Sequence, residues 1–359
     1  MDKWLFGSVL LCFCMFIYAV AVGIIVYYPV GADVHFHIKV ASIWAQGKNG
    51  MFSSYVMAIN HFPYPPIFHW LFVPSVLLGD PLLFAKILQT VFYPGSVATA
   101  MYLMRKHVGK EAGLLVGLVL LSSIGYWDRS LQVIPQTFDT LLFPLVLHFY
   151  LAKKQLSYIA SSMALVYGHG LAAISFIGGI VLLAFFQKRR KEALAIVALT
   201  LPLILLSAFY MQGIFTTWGG LDDTPQEIVF WANPVLYALW YLGPLLMPIV
   251  LLIPKVRVSK WEFNSTLEKA SILTMLTLLP MAVLWPDRFF GYITLPLAFI
   301  LSSSISKWRD RKGKSFTGLF AIIFLMAFLN TYAYYWFNLA SGLIHNINPE
   351  SAYRGMYEP

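Results

Sequence analysis

Charge is what this sequence has least of. Lys, Arg, Asp and Glu make up 11% of its 359 residues, against 59% hydrophobic ones. A soluble domain of that length needs far more charge on its surface, so the soluble classes are excluded. Cysteine is nearly missing too: Cys12 and Cys14 lie two apart in one apolar run. Residues two apart point to different sides of a helix, so this pair makes neither a disulfide framework nor a metal cluster. No Gly-x-x-x-x-Gly-Lys occurs, which argues against ATP-driven transport by this chain alone. No internal repeat of the kind that builds many transporters is visible.

What the chain has instead is a succession of apolar runs and a mean hydropathy of +0.71. Runs of roughly 17–25 apolar residues read as membrane-spanning helices. The expectation is an all-α polytopic membrane protein, one unit over 1–359. The first run, Trp4 to Pro29, is too long for a signal-peptide core and has no small-residue cleavage site, so it reads as a retained span. The next, Ile67 to Leu78, is only a dozen residues and suits a helix lying on the outer face. With an inside amino terminus the remaining spans follow at 82–104, 112–127, 139–152, 156–168, 170–187, 193–211, 233–254, 270–285, 289–306 and 315–340. That is about eleven transmembrane helices plus external juxtamembrane helices in the first loop, 30–81.

The net charge of +9 is unevenly distributed. Basic residues cluster at Arg105-Lys106 with Lys110, Lys153-Lys154, Lys188 to Lys191, Lys255 to Lys269, and Lys307 to Lys314. In this threading 19 of the 25 Lys and Arg fall inside, while 10 of the 16 carboxylates fall outside. That is the bias expected of cytoplasmic anchors, and clusters so scattered do not suit nucleic acid. The sole Asn-x-Ser/Thr, at Asn264, then faces the cytoplasm and stays unglycosylated.

The polar chemistry gathers on the outer face. Asp33 follows Gly31-Ala32 and precedes a helical pattern in which Phe36, Val40, Ile43 and Trp44 form an apolar face, with Gly47 able to stop the helix. Asp33 and His37 are four apart on one side. Asp33 is either an N-cap or a general base, and the Asp–His pair is at most part of a metal site. Tyr64-Pro65-Pro66 fixes an extended entry to the short helix, where His69 and Trp70 follow. The second external loop carries Asp128 and Arg129, which either cap a span, pair with each other, or act on a ligand. Asp139 enters an apolar run and wants a partner there. His169, between Gly168 and Gly170, is either a hydrogen-bonded turn residue or a functional one. Asp287-Arg288 sits between two spans; an arginine at that boundary either pairs locally or grips a lipid phosphate with its bidentate fork. The loop at 212–232 has the composition of a solvated loop.

A first span, an external loop with an early Asp33, an amphipathic helix, Tyr64-Pro65-Pro66 and an interfacial helix together resemble the GT-C superfamily of membrane glycosyltransferases. The Arg129-Ser130 to Phe138-Asp139 stretch, His169 and Arg288 carry the resemblance further. That superfamily includes protein O-mannosyltransferases, aminoarabinose transferases and the oligosaccharyltransferase catalytic subunit. The resemblance covers about the first 190 residues, with 191–359 as further spans forming a donor-binding half. It implies transfer of a sugar from a polyprenyl-phosphate or -diphosphate donor, outside or in the lumen, to a protein, lipid or glycan acceptor. Site residues are then Asp33 as base, with Asp139 and His37 in catalytic positions. Arg288, His169, Tyr64, His69, Arg129 and Asp128 serve substrate and donor. The first loop has Asp33-Val34-His35 rather than a paired acidic motif, no Trp-Trp-Asp motif is present, and a divalent cation (Mg or Mn) on Asp33 and Asp139 is the one cofactor the resemblance admits. The rivals are a transporter or lipid flippase and a catalytically silent subunit of a glycosylation complex.

Overall fold

The computed structural model describes residues 2–25, 33–46, 66–123, 126, 130–202, 205, 242, 265–284, 286–312, 321–330 and 333. Ten helices are named here in chain order: α1 Lys3–Ile25, α2 Asp33–Ala45, α3 Pro66–Leu77, α4 Pro81–His107, α5 Lys110–Leu121, α6 Pro135–Leu151, α7 Gln155–Gly168, α8 Gly170–Phe186, α9 Thr266–Leu284 and α10 Pro286–Lys312. Helix also runs over 190–202 and Ala321–Asn330. The architecture is all-helical, as expected. The expected span at 233–254 lies almost wholly outside the described residues.

Three of the described helices are long and apolar enough to cross a membrane by length and composition: Lys3–Ile25, Thr266–Val283 and Phe289–Lys307. They sit in different places. The α10 span is 89% buried and forms the central column, whereas the α1 span is only 22% buried. Phe6, Phe13, Phe16 and Ile24 of α1 are exposed, which in water would be an aggregation liability and in lipid is ordinary.

The starts of the helices follow from local chemistry. Asp80 Oδ1 accepts from the Leu83 amide at 2.9 Å and Pro81 occupies the first turn, so α4 is capped and pre-set. At α6, Ile134 is extended and Pro135 supplies the helical φ of the first turn. A capping box opens α9: the Ser265 amide donates to Glu268 Oε2 and the Glu268 amide to Ser265 Oγ, both at 3.1 Å.

Packing fixes which ends lie together. Glycines let α8 and α9 touch. A Cβ on Gly179 would meet Thr274 Cα at 2.6 Å and its nitrogen at 2.8 Å, and the Thr277 hydroxyl donates to the Ser175 carbonyl at 2.6 Å. Residue 175 faces 277 and 179 faces 274, so the helices are antiparallel and α9 begins where α8 ends. At that same end Asp2 pairs with Lys110 at 3.1 Å and Arg105 at 3.6 Å, and the Lys110 ammonium holds the Asp2 carboxyl below its usual range. His107 and His148 share a 3.1 Å N···N hydrogen bond, and burial, with His148 second, keeps the His107 imidazole below its ordinary pKa. Glu268, almost fully buried, accepts from Lys307 with both oxygens at 2.7 Å and from Ser303 at 2.7 Å. This basic end therefore clasps α1, α4, α5 and α6 on one side and α9 and α10 on the other. Asn330 donates to the Ser122 carbonyl and ties 321–330 to the end of α5.

The core between the ends is apolar. Phe143 of α6 stacks on Phe176 of α8, with centroids 4.0 Å apart. At the opposite end a smaller cluster of Val34, Ile38, Ala41, Phe68, Phe72, Ala85, Phe92 and Val133 seats α2 and α3 on α4 and the approach to α6. One buried face of α2 runs through Val34, His37, Ile38 and Ala41; of the expected stripe Phe36, Val40, Ile43 and Trp44, Trp44 packs edge-on against Trp70. Val40 and Ile43 are buried as well, so α2 is covered on more than one side. Phe36's side chain lies outside the described residues.

The close α8–α9 approach gives a direct test. Gly179→Ala forces a methyl into the Thr274 backbone, and overpacking of this kind costs about 1–3 kcal/mol. A lowered unfolding midpoint in detergent is the expected result, while Gly79→Ala, with nothing within 4 Å but a φ of +87°, isolates the effect of backbone conformation alone.

Candidate functional site

Three helices deliver one side chain each to a point at the α2–α3 end of the bundle. Asp139 is the fifth residue of α6, where the amino-terminal helix dipole favours a carboxylate. His169 is the single non-helical residue joining α7 to α8: its amide closes α7 on Leu165 at 3.0 Å and its carbonyl receives the Ala173 amide at 3.2 Å. Its backbone is extended (φ −154°, ψ 91°). Tyr292 comes from α10, two turns below its start.

Asp139 and Tyr292 are wholly buried and His169 is 4% exposed. His169 Nδ1 lies 2.9 Å from Asp139 Oδ2. The Tyr292 hydroxyl donates to the same oxygen at 3.1 Å and stands 3.3 Å from His169 Nδ1. With Nδ1–H as donor, Asp139 Oδ2 receives two hydrogen bonds. Asp139 Oδ1 is buried and has none among the described residues. Phe176 meets the Tyr292 ring edge-on at 5.6 Å and Phe289 does so at 5.7 Å, fixing the phenol from the apolar side. Gln136 and Thr137 are buried one turn before Asp139, and Thr137 Oγ1 closes on the Gln132 carbonyl.

A second polar contact lies in the α2–α3 pair. His37 Nδ1 and His69 Nε2 are 2.9 Å apart and both rings are 1% exposed. Phe68 packs edge-on against His37 at 5.0 Å, and Trp44 against Trp70 at 6.0 Å. The cluster reaches the first site through Phe92 and Phe138, whose rings are 6.1 Å apart. Phe138 is the residue before Asp139.

The sequence expectations fall out as follows. Asp139 and His169 are brought together; His37 and His69 are brought together. Asp33 is the first residue of α2 and Arg288 the third of α10, one turn before Tyr292; the side chains of both lie outside the described residues. Tyr64, Asp128 and Arg129 lie outside the described residues altogether. Tyr292 was not anticipated. Its signal is a tyrosine one turn after Arg288 inside an otherwise apolar stretch. Among the described residues no three His, Cys, Asp or Glu side chains form a metal-holding group. Asp139 commits one oxygen to His169 and Tyr292, so the described residues alone do not fit Mg or Mn, which want several oxygen ligands.

No protein-family model matches the chain, and no curated protein matches it in sequence. Solved structures do. The crystal structure of ArnT from Cupriavidus metallidurans bound to undecaprenyl phosphate superposes over 90% of this chain and 64% of its own, with TM-score 0.59 and 15% identity. The apo form of ArnT from that organism gives TM-score 0.56 and 16% identity over 84% of this chain and 61% of its own. This chain thus spans under two thirds of the length of these neighbours. At this identity the likeness is one of fold, and the fold of this chain is ArnT-like.

The histidine pair can be measured. His37→Ala and His69→Ala are each expected to destabilise, and the double variant to cost less than their sum. A coupling of about 1 kcal/mol, typical of a buried neutral hydrogen bond, is expected from a thermal double-mutant cycle. Additive losses would show that the two rings do not depend on each other.

Proposed function

We propose that this chain is a membrane glycosyltransferase that moves a sugar from a polyprenyl-phosphate or -diphosphate donor to an acceptor on the extracytoplasmic face. The observation that carries the reading is the buried Asp139–His169–Tyr292 set at the α2–α3 end of a GT-C-like bundle. Its neighbour in fold, ArnT, has been crystallised with undecaprenyl phosphate. The charge distribution supports the sidedness: the basic end reads as cytoplasmic, which puts Asp139 and the start of α2 outside.

The chemistry follows from where charge develops. As the bond from the anomeric carbon to the phosphate oxygen breaks, its electron pair goes to the phosphate. Arg288, at the start of α10, stabilises that leaving group. The acceptor attacks from the opposite side and its proton passes to Asp33, at the start of α2. One displacement inverts the anomeric centre. In this reading His37 and His69 hold α2 on α3 beside the site. Tyr64, Asp128 and Arg129 serve substrate and donor.

Purified protein in lipid nanodiscs, offered undecaprenyl phosphate and a panel of undecaprenyl-phosphate-linked sugars, tests this. The lipid phosphate should bind, as read by native mass spectrometry, and one of the panel should be turned over. Asp33→Asn should lower turnover by about 100- to 10,000-fold, the usual weight of general-base catalysis, with an unchanged unfolding midpoint. Arg288→Ala should raise the donor KM about tenfold or more, as loss of a charge-assisted bidentate contact does. Normal turnover by Asp33→Asn removes the base role. Movement of labelled lipid between leaflets without sugar release would establish a flippase, and binding without turnover a silent subunit.

A further inference from the structure

We infer that His169 and Tyr292 are positioning residues that hold Asp139 by one oxygen, so that the other, Oδ1, takes a hydrogen bond from a substrate hydroxyl. The inference rests on the glycosyl-transfer reading and adds to it an atom that touches substrate and two groups that aim it.

The two carboxylate oxygens are treated differently by the fold. Oδ2 lies 2.9 Å from His169 Nδ1 and 3.1 Å from the Tyr292 hydroxyl. These donors come from the α7–α8 joint and from α10, so the carboxylate plane is fixed by elements far apart in sequence. Oδ1 is buried and has no hydrogen-bond partner among the described residues. A carboxylate oxygen left so in an apolar interior is costly, and natural interiors seldom keep one without a use. Nothing about α6 obliges it: Asp139 is the fifth residue of the helix, whose N-cap is Ile134.

Gly168 bears on the same oxygen. A Cβ there would stand 3.7 Å from Asp139 Oδ1 and 2.6 Å from Phe138 Cδ1. Gly168 closes α7 and its φ is not in the left-handed region, so backbone freedom does not account for it. Space does. The Phe138 ring occupies the place a side chain would take and so lies against the backbone beside Oδ1. A hydroxyl reaching Oδ1 would meet a hard acceptor on one side and an aromatic ring on the other. Saccharides present both a hydroxyl edge and an apolar C–H face. The hydroxyl belongs either to the sugar of the donor or to the acceptor, and the two are separable by experiment.

The test uses the nanodisc protein and the undecaprenyl-phosphate-linked sugar it turns over, with four variants. Asp139→Asn should remove turnover. Tyr292→Phe, which keeps the ring, should lower kcat about tenfold and His169→Ala about a hundredfold, the scale of one or two lost hydrogen bonds to a charged group. His169→Asn keeps an N–H near the Nδ1 position and should recover to within about tenfold of the unaltered protein. Infrared spectra differenced against Asp139→Asn identify the Asp139 carboxyl band. It should move in Tyr292→Phe and His169→Ala and return in His169→Asn. Slow hydrolysis of the donor without acceptor should fall with transfer if Oδ1 meets the donor sugar, and survive if it meets the acceptor. The inference is overturned if the Asp139 band ignores Tyr292 and His169. It is also overturned if His169→Asn restores the band but leaves kcat at the level of His169→Ala, since the imidazole would then act by itself. If the unaltered protein neither binds undecaprenyl phosphate nor turns over any of the panel, the glycosyl-transfer reading fails, and the band alone decides the positioning.

Discussion

A carboxylate inside an apolar bundle has to be met by hydrogen bonds, and at Asp139 that requirement organises one end of the molecule. The donors are His169 and Tyr292. To supply them, α7 and α8 must meet at a single extended residue, and α10 must run through the centre with its tyrosine two turns from the start. The aromatic contacts of Phe176 and Phe289 on Tyr292 are the apolar counterpart of the same constraint. Without all three helices in register the carboxylate would be unpaired on both oxygens, a penalty comparable to much of a domain's net stability.

The opposite end solves the same problem in another way. Glu268 is nearly as buried as Asp139, yet both its oxygens are satisfied by Lys307, Ser303 and the Ser265 amide. Its cost is met locally, by a capping box and a neighbouring helix, and it clamps α9 to α10. A fully partnered carboxylate bridged to a partly exposed lysine is a fastening device, and it offers no open acceptor to a ligand. The contrast between a closed carboxylate at the basic end and a half-open one at the other is the clearest chemical asymmetry in the bundle.

Composition made the broad class legible, because so low a charge density has no soluble solution. Helix ends were legible where proline or a capping residue marks them, as at Asp80-Pro81 and Pro135. The start of α9 is marked by Ser265 and Glu268, a capping box that precedes the apolar run by a few residues. Asp139 and His169 could be singled out as polar residues in apolar surroundings; that they meet could not, since 30 residues and a helical hairpin separate them. Tyr292 was hidden for a related reason. An aromatic in an apolar span is ordinarily core, and only the distant carboxylate gives its hydroxyl a purpose. Of the stripe expected on α2, Val40 and Ile43 are buried, but the helix is covered on a second side through Val34, His37, Ile38 and Ala41, which one apolar stripe does not announce.

Placement of the buried ionisable groups bears on the rival readings. Among the described residues these are His37, His69, Asp139, His148, His169 and Glu268. Each falls within five residues of a helix terminus. A transporter that carries an ion or polar solute through the bilayer wants such groups strung through the middle, at broken helices near the midplane. Here the middle is Phe143, Phe176 and Phe299 in face-to-face contact, a packing that resists both water and charge. Buried polar groups kept to the two ends, with an apolar core between them, suit a reaction on a lipid-borne group at one surface better than passage across the bilayer. A silent subunit would be under no pressure to keep a buried oxygen without a partner, which leaves Asp139 Oδ1 as the feature on which an enzyme and a scaffold differ.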